Sequence, residues 1–102
     1  MNFLEKQYGS DEERVKLAFC TNDKKTLYDL AQDECLAVRL EVAGNENTPV
    51  AALELLSHDN DMNVRKQVAG NENSSSDIIQ KLLKDSNESV VKEASYSHYL
   101  EE

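Results

Sequence analysis

Apolar residues recur along the chain at a spacing typical of helices. Val38 and Val42 are four positions apart, and so are Val64 and Val68. This spacing places both side chains of a pair on one face of an α-helix. No stretch rich in β-branched residues alternates apolar with polar positions, so we predict helices and no sheet.

Each of these short helices ends at a glycine, and a second helix is predicted to follow. Gly44 and Gly70 stand where a helix commonly ends in the left-handed conformation, which we therefore predict for both. Thr48 and Pro49 indicate the N-cap and the first residue of the next helix. Residues 74–77, with Ser74 three positions before an Asp, indicate a variant of the capping box at the equivalent place.

The helix pair belongs to an internal repeat of 26 residues. The hexapeptide Val-Ala-Gly-Asn-Glu-Asn occupies residues 42–47 and recurs unchanged at residues 68–73. Alignment of Val15 with Val38 predicts an earlier unit that is three residues shorter. In that alignment Phe19 faces the core and Lys16 takes the place of an arginine.

The repeat predicts an all-α fold, because two short helices can bury their apolar faces only against neighbouring pairs. We predict a right-handed α-α superhelix, or solenoid, of about three and a half short two-helix repeats. It forms a single helical-repeat domain over residues 1–102. Its parts are an N-terminal cap at 1–13, repeats at 14–37, 38–63 and 64–89, and a C-terminal half-repeat and cap at 90–102.

One unit has a pattern specific enough to compare with known repeats. Residues 38–49 read Val-Arg-Leu-Glu-Val-Ala-Gly-Asn-Glu-Asn-Thr-Pro, and Leu53, Leu56 and Asp59 follow. This unit resembles the leucine-rich repeat variant family, whose short helical repeats are similar to HEAT and armadillo units. The family pattern is close to Val-Arg-x-x-Val-Ala-x-Asn-x-x-Thr-Pro, then Leu-x-x-Leu-x-x-Asp. The resemblance extends over about residues 14–95 and implies a right-handed solenoid in which an α-helix alternates with a shorter, often 3₁₀, helix. It implies no activity, and the iron–sulfur segment of some relatives needs four Cys ligands where this chain has two Cys.

Charge and composition narrow the classes of function. The 102 residues include 20 acidic and 11 basic side chains, a net charge of −9. An acidic surface repels phosphate, so we predict no nucleic-acid partner. No apolar run approaches the ~20 residues that span a membrane and no secretory signal is visible, so we predict no membrane partner and a cytoplasmic location. Cys20 and Cys35 are expected to be buried and to pack as small hydrophobes.

No pattern indicates a catalytic, cofactor-binding or metal-binding site. A phosphate-binding Gly-rich loop, a GxSxG elbow and an HExxH helix are all absent from the sequence. His58 and His98 are expected in solvent. Asn45 and Asn71 are expected to bond turn carbonyls from one unit to the next. We therefore predict a protein that is not an enzyme and uses no cofactor.

The predicted function is a non-catalytic protein–protein interaction module, a helical-repeat scaffold. Arg39 and Arg65 are equivalent and form one candidate contact row; alternatively, each ties down the turn that contains an Asp six residues before it. Tyr96 and Tyr99 in the C-terminal cap are the other candidate contacts. A homo-oligomeric structural protein and an acidic nucleic-acid mimic that binds a basic protein remain alternatives. We expect a monomer or a weak homodimer with an unidentified protein partner.

Overall fold

The computed structural model describes the backbone of residues 2–101 and the side chains of residues 2–97. This part of the chain forms eight helices and no strand, which confirms the all-α prediction there. The helices, in chain order, are α1 (Phe3–Tyr8), α2 (Asp11–Cys20), α3 (Lys24–Leu30), α4 (Leu36–Gly44), α5 (Val50–Leu56), α6 (Met62–Gly70), α7 (Ser76–Leu82) and α8 (Glu88–Glu101).

The first helices of the units pack on one another in chain order. Helix α2 contacts α4, α4 contacts α6, and α6 contacts α8. Each second helix contacts the first helix of its own unit and that of the next unit, as α3 does with α2 and α4. The molecule measures 42 × 24 × 17 Å along its principal axes. Contacts therefore run from each unit to its neighbour, as a stack of repeats requires.

The core is aliphatic and comes from the same positions of successive units. In the two central units, the first helices α4 and α6 each contribute two valines and an alanine, and the second helices contribute mainly leucine and isoleucine. Burial of each valine, leucine or isoleucine contributes about 1.5–3 kcal/mol relative to its exposure. The central units bury Val38, Val42, Ala43, Ala52, Leu53 and Leu56, then Val64, Val68, Ala69, Ile78, Ile79 and Leu82.

Helix α2 corrects the predicted register of the first unit. Phe19 is 71% exposed, whereas Ala18 is fully buried in the core. Ala18 thus corresponds to Ala43, 25 residues later, and the alignment of Val15 with Val38 is wrong. A four-residue spacing identifies helical faces without saying which face meets the core, and the pair formed by Arg14 and Ala18 has that spacing as well.

The glycines that end α4 and α6 are not left-handed, contrary to the prediction. Gly44 is the last residue of α4, and Asn45 continues in an extended conformation with φ −73° and ψ 129°. Gly70 ends α6 in the same way. Among the described residues, Gly9, between α1 and α2, is the one with a positive φ, at 96°.

The predicted N-caps of the second helices are also corrected. The Thr48 hydroxyl donates to the carbonyl of Val42 at 2.6 Å, and Pro49 precedes α5. Ser74 makes the equivalent bond, while Ser75 caps α7 by accepting from the amide of Ile78 at 3.3 Å. Thr48 and Ser74 are buried, so their hydroxyls bond carbonyls inside the protein.

Candidate functional site

Each arginine of the repeat joins two successive turns. Arg39 Nε donates to Asp59 Oδ2 at 2.7 Å, and its Nη1 donates to the carbonyl of Asp33 at 2.9 Å. Arg65 repeats the arrangement, with Asp85 Oδ2 at 2.8 Å and the carbonyl of Asp59 at 2.8 Å. We call these contacts the arginine bridges.

The arginine bridges partly correct the proposed turn contact. The residue six positions before each arginine contributes its carbonyl oxygen, whereas the carboxylate partner lies 20 positions after it. The hydrogen bond from Arg65 lowers the pKa of Asp85. The side chains of Arg39 and Arg65 are 20% and 16% exposed. A role for them in partner binding stays a prediction.

Arg14, not Lys16, makes the bridge of the first unit. Its Nε donates to Asp33 Oδ2 at 2.7 Å and its Nη1 to the carbonyl of Gly9 at 2.7 Å. Arg14 is 2% exposed and also pairs with Asp11. This bridge is the most buried of the three, and it places Phe19 in the repeat position of Gly44.

A ladder of side-chain bonds links the first helices, as predicted for Asn45 and Asn71. Asn45 Nδ2 donates to the carbonyl of Ala18 at 2.9 Å. Asn71 Nδ2 donates to the carbonyl of Ala43 at 2.8 Å. Ser97 continues the ladder, because its hydroxyl donates to the carbonyl of Ala69 at 2.6 Å. The repeat therefore extends into α8, although the Gly-Asn turn is absent there.

A groove crosses the outer face of the first helices. It consists of adjoining depressions of about 590, 330, 420 and 390 Å³ that share lining residues. We call it the outer groove and define it by one repeat position, which is occupied by Phe19, Gly44, Gly70 and Tyr96 in successive units. Its ends are aromatic, and its centre has no side chain at this position.

The aromatic ends of the outer groove are open to solvent. Phe19 lies near Leu40, and Tyr96, which is 64% exposed, lies beside Gly70. Sequence reasoning named Tyr96 but missed Phe19, which it had assigned to the core. The signal that locates Phe19 is the Arg14–Ala18 pair, which matches Arg39 and Ala43. Tyr99 was the other candidate, and its side chain lies outside the described residues.

The outer groove carries charges without ion-pair partners among the described residues. Its carboxylates are those of Glu41, Glu46, Glu72 and Glu93, and its ammonium groups are those of Lys66 and Lys92. The Phe19 end contains two of the carboxylates and no lysine. Both lysines lie toward Tyr96. The groove is therefore acidic at one end and mixed at the other.

Other side chains that could react or bind a metal ion lie apart from one another. Cys20 is exposed and lines the outer groove, and Cys35 is half-buried, so the prediction of two buried thiols is wrong. Cys20 is the last residue of α2, and it lies off the face of that helix that buries Arg14 and Ala18. His58 is exposed, as predicted, and lies 3.6 Å from Glu54. Within the described part of the chain, no three His, Cys, Asp or Glu side chains are grouped so as to hold a metal ion.

The stacked units and their repeated bridges define a helical-repeat protein. Residues 36–61 match the family model of the leucine rich repeat variant, which confirms the resemblance found in that unit. No curated protein and no solved structure matches the chain. Among the helices described, none combines the length and apolar character needed to cross a membrane.

Proposed function

We propose that the chain is a non-catalytic protein–protein interaction module whose partner binds in the outer groove. The observation that carries the proposal is the exposure of Phe19 and Tyr96 at a position where the central units have glycine. Aromatic side chains dominate the energetics of many protein interfaces because they bury a large area with few rotatable bonds. Two such rings at the ends of one groove offer anchors for a partner.

The repeat fold supports a scaffold role. The match to the leucine rich repeat variant and the packing of α2, α4, α6 and α8 in chain order support a stack that offers one continuous surface. We extend the proposal to a right-handed superhelix, the winding that the family resemblance implies. Acidic groups in the outer groove repel phosphate, so the proposal excludes a nucleic-acid partner. The proposal also includes a cytoplasmic location and no cofactor.

Site-specific photocrosslinking tests the proposal. A photoreactive phenylalanine analogue replaces Asn63, an exposed residue of the outer groove, or, as a control, Ala51, which is exposed on α5 outside the groove. We expect position 63 to crosslink a distinct protein in the native host and position 51 not to do so. The crosslink should disappear with Phe19→Ala and persist with Phe3→Ala, which removes another exposed phenylalanine.

Three results would contradict the proposal. Equal crosslinking from both positions would place the partner elsewhere or indicate random collision. Persistence of the crosslink after Phe19→Ala and Tyr96→Ala together would remove the aromatic anchors from the explanation. A crosslinked product made only of this chain would favour the homo-oligomeric alternative.

A further inference from the structure

We infer that the outer groove binds an extended segment of another protein, about eight to ten residues long, with basic side chains near Phe19 and an apolar side chain at each end. The inference rests on the proposed function, because it takes the groove as the binding surface. It adds the conformation, length and charge of the bound segment.

The length follows from the spacing of the helices. Three helix-to-helix contacts separate α2 from α8, and packed helices lie about 8–10 Å apart. Phe19 and Tyr96 are therefore about 24–30 Å apart, measured across the first helices. An extended chain rises about 3.3 Å per residue, so residues about seven to nine positions apart, the ends of a segment of about eight to ten residues, span that distance.

The floor of the outer groove favours an extended chain over a helix. Gly44 and Gly70 present no side chain, so a bound backbone can approach closely where the movable ends of Gln67 and Glu93 shift aside. The Gln67 amide lies across Gly44, with Oε1 3.4 Å from where a Cβ would stand, and it bonds no described residue. An extended segment offers free N–H and C=O groups to this amide, whereas a helix has already paired its own.

Charge complementarity predicts the sign of the charge on the bound segment. Four carboxylates and two ammonium groups line the outer groove, and none of them has an ion pair with a described residue. Glu41 and Glu46 at the Phe19 end face no lysine there. Arginine or lysine in the first half of the segment would pair with these carboxylates, and the attraction would weaken as salt screens it.

A random dodecapeptide display library, screened against the full chain, tests the inference. We expect the selected peptides to be enriched in Arg and Lys over Asp and Glu, with apolar residues about seven to nine positions apart. A selected peptide is then synthesised with a fluorescent label, and its affinity is measured by polarisation at 50 and 500 mM NaCl, concentrations about tenfold apart that change screening strongly. Enrichment of acidic peptides, or equal affinity at both salt concentrations, would overturn the inference.

Matched variants locate the bound peptide. Phe19→Ala and the double change Glu41→Lys with Glu46→Lys should each weaken binding at least about tenfold, the loss expected when an anchor or a charge contact is removed. Phe3→Ala and Glu34→Lys change exposed residues of the same kinds outside the groove and should alter affinity less than about twofold. Gly44→Phe, which fills the floor, should abolish binding, and Ala51→Phe should not. Equal effects in the variants and their controls would refute the location, and thermal unfolding of each variant verifies that it is folded.

Two further results separate this inference from the proposed function. Proline placed at successive positions of the peptide should be tolerated at some central positions if the segment is extended, whereas a uniform loss of binding would indicate a helix and contradict the inference. If position 63 crosslinks a partner but no peptide is selected, the groove binds a folded surface and only the inference fails. If neither occurs, both fail.

Discussion

Glycine has two different roles in this chain. Gly9 has a φ of 96°, and an added Cβ would lie 2.9 Å from Glu13 Cδ, beside the capping box that begins α2. Gly44 has helical geometry, and an added Cβ would meet only the movable end of Gln67. Conformation thus requires a glycine at Gly9, whereas at Gly44 the absent side chain leaves the outer groove open.

We expect opposite effects from alanine at these two positions. Gly44→Ala should raise the free energy of unfolding by up to about 1 kcal/mol, because alanine loses less backbone entropy in a helix. Gly9→Ala should lower it by about 1–2 kcal/mol, because a side chain disfavours the left-handed region. Urea denaturation followed by circular dichroism measures both values. Changes of the same sign would show that the two glycines do not differ as described.

At the residue scale, the sequence predicts which residues pack in the core better than which residues are exposed. Val38 and Val42 were correctly placed in the core because their repeat in the next unit fixes the register. Phe19 was misplaced because the alignment of Val15 with Val38 put it at the position of Val42, and a four-residue spacing does not say which face of a helix meets the core. The candidate groove could not be predicted until the buried Arg14 and Ala18 showed which residue of α2 corresponds to Gly44.

At the scale of the elements, the arginine bridges hold the turns together. Arg14 and Asp33 are the most buried pair, with the Asp33 side chain 1% exposed. Loss of one partner from a buried ion pair leaves a charge without compensation, which costs much more than loss of a pair in solvent. The bridges therefore differ in their contribution to stability even though their geometry is similar.

Removal of each arginine should reveal this order. Arg14→Met should lower the free energy of unfolding by about 3–5 kcal/mol, and Arg39→Met should have a smaller effect because that pair is more exposed. Arg14→Lys should recover little, since an ammonium cannot reproduce the two guanidinium bonds to Asp33 together with the bond to the Gly9 carbonyl.

The control for the bridge restores charge balance. Asp33→Asn combined with Arg14→Met should be less destabilising than the sum of the two single changes, because no buried charge then remains unpaired. Urea denaturation gives the midpoints of the parent, the two single variants and the double variant for this comparison. An equal loss for Arg14→Met and Arg39→Met would show that burial does not set the strength of the bridges.

The prediction of the turns from sequence was partial for a physical reason. The Asp that precedes each arginine by six residues is close in sequence and does contribute a carbonyl. The carboxylate partner lies 20 residues later, in the turn that ends the same unit, and only the packing of that unit's two helices brings it near the arginine. Local patterns describe bonds within a turn, whereas bonds between turns depend on how the helices pack.

At the scale of the whole molecule, two hydrogen-bonded carboxylates make stability depend on pH. The hydrogen bond from Arg65 lowers the pKa of Asp85, and that from Tyr8 lowers the pKa of Asp29. Both carboxylates have a lower pKa in the folded than in the unfolded chain. Their contribution is therefore present above the unfolded pKa of about 4 and is lost as the pH falls through the folded pKa.

Asp85→Asn isolates this contribution. The parent protein should lose more free energy of unfolding than the variant between about pH 5 and pH 2, because only the parent has this carboxylate to protonate. Relief of repulsion among the net −9 charges acts in both proteins, so it cancels in the difference. Thermal unfolding across this pH range measures the difference, and parallel curves would show that the Asp85 bridge carries no pH dependence.

Bonds between the units end largely on main-chain oxygens, at the carbonyls of residues such as Ala43 and Asp33. Every residue type supplies a carbonyl, so a unit can be joined to a neighbour of different sequence without losing these bonds. Side chains on the outer surface are therefore not needed to join the units, and they can change one position at a time. At one position of the outer groove, two units have glycine and two others have an aromatic ring, although the same kind of bond joins the units. This architecture is therefore well suited to acquiring new binding specificities.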